Sequence, residues 1–81
     1  MPVILRYRGY RFFFFSNEGD PPEPPHIHVR RGEAVAKYWL FPQVSLEESY
    51  GLSPSELRDL AGFIENNKEL IRRRWDESFS T

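Results

Sequence analysis

Apolar and polar positions alternate along the first half of the chain and recur at helical spacing in its last third. Val3-Ile4-Leu5-Arg6-Tyr7-Arg8 reads as an edge-type strand, with Val3, Leu5 and Tyr7 toward a core and Arg6 and Arg8 on the polar side. Gly9 supplies a turn. Tyr10-Arg11-Phe12-Phe13-Phe14-Phe15 is apolar on both faces near its end, the pattern of a strand covered on two sides. One side should meet a helix; the other needs a partner, a loop or more chain. Residues 16–25 hold Asn17, Gly19, Asp20 and four prolines, which exclude helix and ladder pairing. The run Pro21-Pro22-Glu23-Pro24-Pro25 reads as a stiff polyproline-like connector. Residues 26–31 and 34–41 form a third and a fourth strand around a hairpin turn at Arg31-Gly32-Glu33, and Pro42 ends the fourth. Gln43-Val44-Ser45-Leu46 alternates as a short fifth strand.

The start of the helix is the clearest local signal. Ser53 is the N-cap, Pro54 takes the first helical position and Glu56 completes a capping box. Leu52 and Leu57 occupy the two positions of a hydrophobic staple. Leu57, Leu60, Ala61, Ile64, Ile71 and Trp75 then share one face, widened by Phe63 and Leu70. Asn66 with Glu69 is a second cap candidate, so the segment reads as one helix to about Glu77 that can kink, or as two joined near Asn67, with one helix the preferred reading. The expected fold is α+β: a small antiparallel sheet of four to five strands with one long C-terminal helix packed on one face. It forms a single domain over residues 1–81, with strands within 3–46 and the helix over about 54–77.

Composition narrows this picture. A chain of 81 residues buries only about 60% of its unfolded surface. With no cysteine, neither a disulfide framework nor a thiolate metal site adds stability. Aromatic packing, at 16% of residues, and self-association remain, so a homodimer or a partner protein is expected. No apolar run reaches the roughly 18 residues of a membrane-spanning helix. The start shows neither a basic n-region nor a long apolar h-region, so the expectation is cytoplasmic. Residues 1–40 carry six Lys/Arg against four Asp/Glu, and residues 41–81 carry five against eight; neither half demands nucleic acid.

The chemistry concentrates in Pro24-Pro25-His26-Ile27-His28-Val29-Arg30, which holds both histidines of the chain. Alternation on a strand points His26, His28 and Arg30 one way and Ile27 and Val29 the other. The polar side would gather Arg6, Arg8, His26, His28 and Arg30. One register of the fourth strand adds Lys37 and Trp39, the other Tyr38. Cations interleaved with aromatics suit single-stranded nucleic acid. Arg6, Arg8, Tyr38 and Trp39 are thus candidate binding residues. Metal-independent RNA cleavage would use His26 and His28 as acid and base, with Arg30 and Lys37 on the phosphate. A two-histidine metal site would need Glu23, Asp20 or Glu33 as third ligand, none at a diagnostic spacing. The bland alternatives are histidines that anchor the proline loop and an ordinary solvated sheet face. The run Arg72-Arg73-Arg74 reads as a solvated helix end favoured by the dipole. Nothing in the pattern calls for a cofactor.

Several segments together resemble a small bacterial family, domain of unknown function 4160. They are residues 9–18, Pro24-Pro25-His26-Ile27-His28-Val29, Ala36-Lys37-Tyr38-Trp39-Leu40, Gly51-Leu52-Ser53 with Glu56-Leu57, Asn67 and Trp75. The resemblance brings no established activity. It implies a role in pairs with a second small family, domain of unknown function 2442, similar to type II toxin–antitoxin modules. The toxin half fits better, because the chain lacks a helix-turn-helix and a disordered neutralising tail. The small cognate protein and RNA are the partners this suggests. Two other expectations stand beside it: a non-catalytic module docking a protein through aromatics of the Phe12–Phe15 strand, and a small metal-binding protein using His26 and His28.

Overall fold

The computed structural model describes residues 3–16 and 23–79. Five strands follow one another in the sheet in chain order, each antiparallel to the next: β1 Val3–Tyr7, β2 Tyr10–Phe13, β3 His26–Arg31, β4 Ala34–Trp39 and β5 Ser45–Tyr50. Two tight hairpins set the register. Arg8 and Gly9 both take positive φ, 50° and 83°, between the paired residues Tyr7 and Tyr10, as a two-residue loop that matches strand twist requires. Gly32, at φ 60°, turns β3 into β4.

The fifth strand runs four residues beyond the expected segment, to Tyr50, and starts later, at Ser45. All six of its residues are exposed, so hydrophobic alternation had little to reveal there. Val3 also departs from expectation. The register slips between Val3 and Leu5, and Val3 lies opposite Phe13 on the face away from the helices. One extra residue, Ile4, reverses the alternation.

The single long helix is two helices, α1 Pro54–Asn66 and α2 Lys68–Phe79. Asn67 separates them at φ −117°, ψ 15°. Its side-chain Nδ2 donates to the Phe63 carbonyl at 2.8 Å, and its own carbonyl accepts from Ile71 N at 3.0 Å. A short amide that competes for backbone partners ends one helix and opens the next. Arg72-Arg73-Arg74 consequently lies inside α2, whose last turn holds no basic residue. The Ser53–Glu56 capping box forms as expected, with both reciprocal hydrogen bonds.

Both helices cover one face of the sheet. Phe12, Phe14, Ile27, Val29, Tyr38 and Leu40 are buried there against Leu60, Ile64, Ile71 and Trp75. No helix among the described residues is long and apolar enough to cross a membrane.

Candidate nucleic-acid interface

Strand alternation sends Arg11 and Phe13 of β2, His28 and Arg30 of β3, and Val35, Lys37 and Trp39 of β4 to the face that carries no helix. Two features organise this face. The first is a ring cluster. Phe13 and His28 are cross-strand partners and stack with centroids 5.7 Å apart; Phe15 lies 4.3 Å from His28 and 5.5 Å from Phe13. Phe15, at 46% exposure, carries the cluster to the surface.

The second is a row of arginines. Arg6 pairs with Arg11 across β1–β2, and Arg11 pairs with Arg30 across β2–β3. All three are exposed. Among the described residues no carboxylate forms an ion pair with any of them; Arg30 donates through Nε to the Gly32 carbonyl at 3.0 Å. Like charges directly opposite one another destabilise a sheet, so the row costs folding energy that an external anion would recover. Val3, Arg11, Phe13, Phe15 and Arg30 line a shallow depression beside it.

The sign of charge reverses across the sheet. The β5 edge places Glu48 opposite Lys37, and the extra residue of a bulge, Glu47, accepts from Trp39 Nε1 at 3.2 Å. Lys37 Nζ sits 4.6 Å over the Trp39 ring and 3.9 Å from Glu23. A groove of about 310 Å³ runs between the ring cluster and β5, past Val35, Lys37, Glu48 and Tyr50.

The expected site residues therefore separate into two groups. Arg6, His28, Arg30, Lys37 and Trp39 share the helix-free face. His26 does not open onto it. Its ring is fully buried, between Trp39 at 5.4 Å and Trp75 of α2 at 4.8 Å, and its Nδ1–H donates to the Pro24 carbonyl at 2.9 Å. The carbonyl can only accept, so Nδ1 carries a proton, and that nitrogen is committed to the loop backbone. The loop-anchoring alternative describes this geometry.

Tyr38 and Arg8 belong to the other face. Tyr38 is buried, and its hydroxyl donates to the Leu57 carbonyl at 2.8 Å. Burial pushes its phenol up to about 12. The fourth strand therefore adopts the register that exposes Lys37 and Trp39. Arg8, in the first hairpin turn, reaches Asp59 of α1 at 3.2 Å, where Tyr7 also donates at 2.9 Å. One turn earlier, Glu56 accepts from Ser53 N, from Tyr10 and from Arg31 Nη2 at 3.0 Å. The backbone and hydroxyl hydrogen bonds from Ser53, with Tyr10 and Arg31 beside them, hold the Glu56 carboxyl below its ordinary value.

Phe12 likewise lies in the core, so the aromatics available for docking are Phe13 and Phe15 rather than the whole Phe12–Phe15 strand. Among the described residues no three of His, Asp and Glu converge to hold a metal ion; Asp20 lies outside the described residues. Sequence reasoning missed Arg11, Glu48 and Tyr50 as site residues and gave Phe13 and Phe15 only to a protein-docking strand. Alternation along Tyr10–Phe15 places Arg11, Phe13 and Phe15 together on one side.

Fold and face together define a small α+β protein: a five-strand antiparallel meander backed by a helix pair, with exposed arginines and an aromatic ring cluster on the opposite side. The chain belongs to the family Domain of unknown function (DUF4160), whose model matches residues 9–76. No curated protein and no solved structure matches the chain.

Proposed function

We propose that the helix-free face binds single-stranded RNA, and that the protein acts through this contact as the toxin-like half of a type II toxin–antitoxin-like pair. The Arg6–Arg11–Arg30 row beside the Phe13–Phe15–His28 cluster carries the reading. Phosphates neutralise the row, and bases stack on the rings. A contact of this kind would neutralise like charges that oppose one another across the ladder at a cost to folding. Binding rather than cleavage is the activity supported: acid–base cleavage needs two proton-transfer groups at the phosphate, and His26 is enclosed. The toxin assignment rests on the resemblance of the chain to one family, whose members are often encoded beside a second small family in pairs that resemble such modules.

Fluorescence anisotropy with a labelled nine-residue oligouridylate tests the reading across salt concentrations. Affinity should fall with salt, and Arg11→Ala/Arg30→Ala should flatten the log–log slope by about 1.4 as two phosphate contacts are lost. Absence of binding, or a slope that the double variant leaves intact, overturns it. Growth after induced expression tests the toxin half separately: arrest by the wild type, relieved by the folded double variant, supports it, and growth without arrest overturns it.

A further inference from the structure

The groove beside the ring cluster has the chemistry of a base pocket, and its polar groups choose among the bases. We infer that it holds a single guanine of the bound RNA, with Glu48 reading the Watson–Crick edge. The inference rests on the RNA reading above and adds a specificity to it.

Three observations support it. The groove, about 310 Å³, is at the small end of ligand pockets, which start near 300 Å³. It has room for one flat ring system beside the Arg row, not for a folded ligand. Its walls are aromatic as well: Phe13, Phe15 and His28, of which Phe13 and His28 are stacked, on one side, and Tyr50, at 70% exposure, on the β5 side. Its carboxylate is uncommitted. Glu48 lies directly across the ladder from Lys37, yet no ion pair or hydrogen bond joins Glu48 to another described residue, because Lys37 turns toward Trp39 and Glu23 instead.

The bases differ in what they offer such a carboxylate. Guanine presents N1–H and N2–H side by side, two donors for two carboxylate oxygens. Its O6 acceptor then falls toward a cation, and Arg30 and Lys37 both line the groove. Uracil has one N–H flanked by two carbonyls, which a carboxylate repels. Adenine and cytosine each offer one amino group beside a ring-nitrogen acceptor. Only guanine satisfies both oxygens of Glu48 without opposing a lone pair to them.

Four labelled oligonucleotides of nine residues decide the matter: oligouridylate and the same chain with guanine, adenine or cytosine at the centre. The guanine oligonucleotide should bind about tenfold tighter than the others, or more. Replacing that guanine by inosine, which lacks the N2 amine, should remove much of the advantage with the protein unaltered. Glu48→Gln puts an amide donor against a donor and should bring the guanine-to-uridine ratio close to one, with far-UV circular dichroism as the folding control. Equal binding of all four by the wild type overturns the inference and leaves the RNA reading standing. A guanine preference that survives Glu48→Gln or inosine also overturns it. If none of the four binds, both fall.

Discussion

His26 and His28 sit two residues apart on one strand, yet they have different environments. His26 is enclosed by two tryptophans and held by the Pro24 carbonyl, whereas His28 is half-buried among Phe13 and Phe15 on the open face. Truncation should separate them. His26→Ala removes a buried ring and its hydrogen bond and should cost about 2–4 kcal/mol in urea unfolding. His28→Ala should cost less than about 1 kcal/mol but weaken RNA binding by removing part of the stacking surface. Equal stability losses would show the two rings to be equivalent. Tyr38 provides a pH signature. Its phenol ionises near 10 when unfolded and near about 12 in the fold, so folding favours the neutral form. Its contribution is complete below pH 10 and is lost as pH rises through about 12. The phenols of Tyr7 and Tyr10 are raised too and act with the same sign. Tyr38→Phe should cost about 1 kcal/mol at neutral pH through the lost bond to Leu57 and should shallow the alkaline decline.

At the scale of elements, the first two turns of α1 join helix to sheet. Glu56 closes the capping box and receives Tyr10 and Arg31, while Asp59 receives Tyr7 and Arg8. Two carboxylates on one helix thus hold the turn ends of three strands. The ion pairs are exposed, so their worth lies in alignment rather than strength. Ser53→Ala should cost about 1 kcal/mol in urea unfolding. Glu56→Gln should change the acid limb. The carboxylate is held below its ordinary 4.5, so its contribution is present above that pH and lost as pH falls through the lower folded value. The variant should lack that part of the acid-side decline. The capping box, both hairpin turns and the core face of the helical segment are legible in the sequence because each depends on residues within four positions. The break at Asn67 is less so: Asn66 and Asn67 are equivalent in pattern, and only the bond from Asn67 to the Phe63 carbonyl selects between them.

For the whole molecule, the two sides of the sheet divide stability from binding. The helix side holds the core and the Arg8–Asp59 and Arg31–Glu56 pairs. The open side holds an arginine row at β1–β3 and two glutamates on β5. Arg11 stands at the centre of the row, between two like charges. Arg11→Thr should therefore raise stability by a few tenths of a kcal/mol while weakening oligouridylate binding and its salt dependence, measured by urea unfolding and anisotropy on the same samples. A variant that is both less stable and unchanged in binding would assign the row a purely structural role.

The sequence by itself determined the order of strands and helical segment, the hairpin turns, the cap of α1 and the side of β3 on which His28 and Arg30 fall, because these follow from turn chemistry and from periods of 2 and 3.6. Tertiary structure decided the rest. It chose between the two registers of β4, since packing against α1 buries Tyr38 and sends Lys37 to the open face. It drew Arg8 to Asp59 across 51 positions and sent Val3 to the open face through a bulge. It buried His26 through contact with Trp75, 49 positions away along the chain. Each of these outcomes depends on a partner distant in sequence, which alternation within a single strand cannot encode.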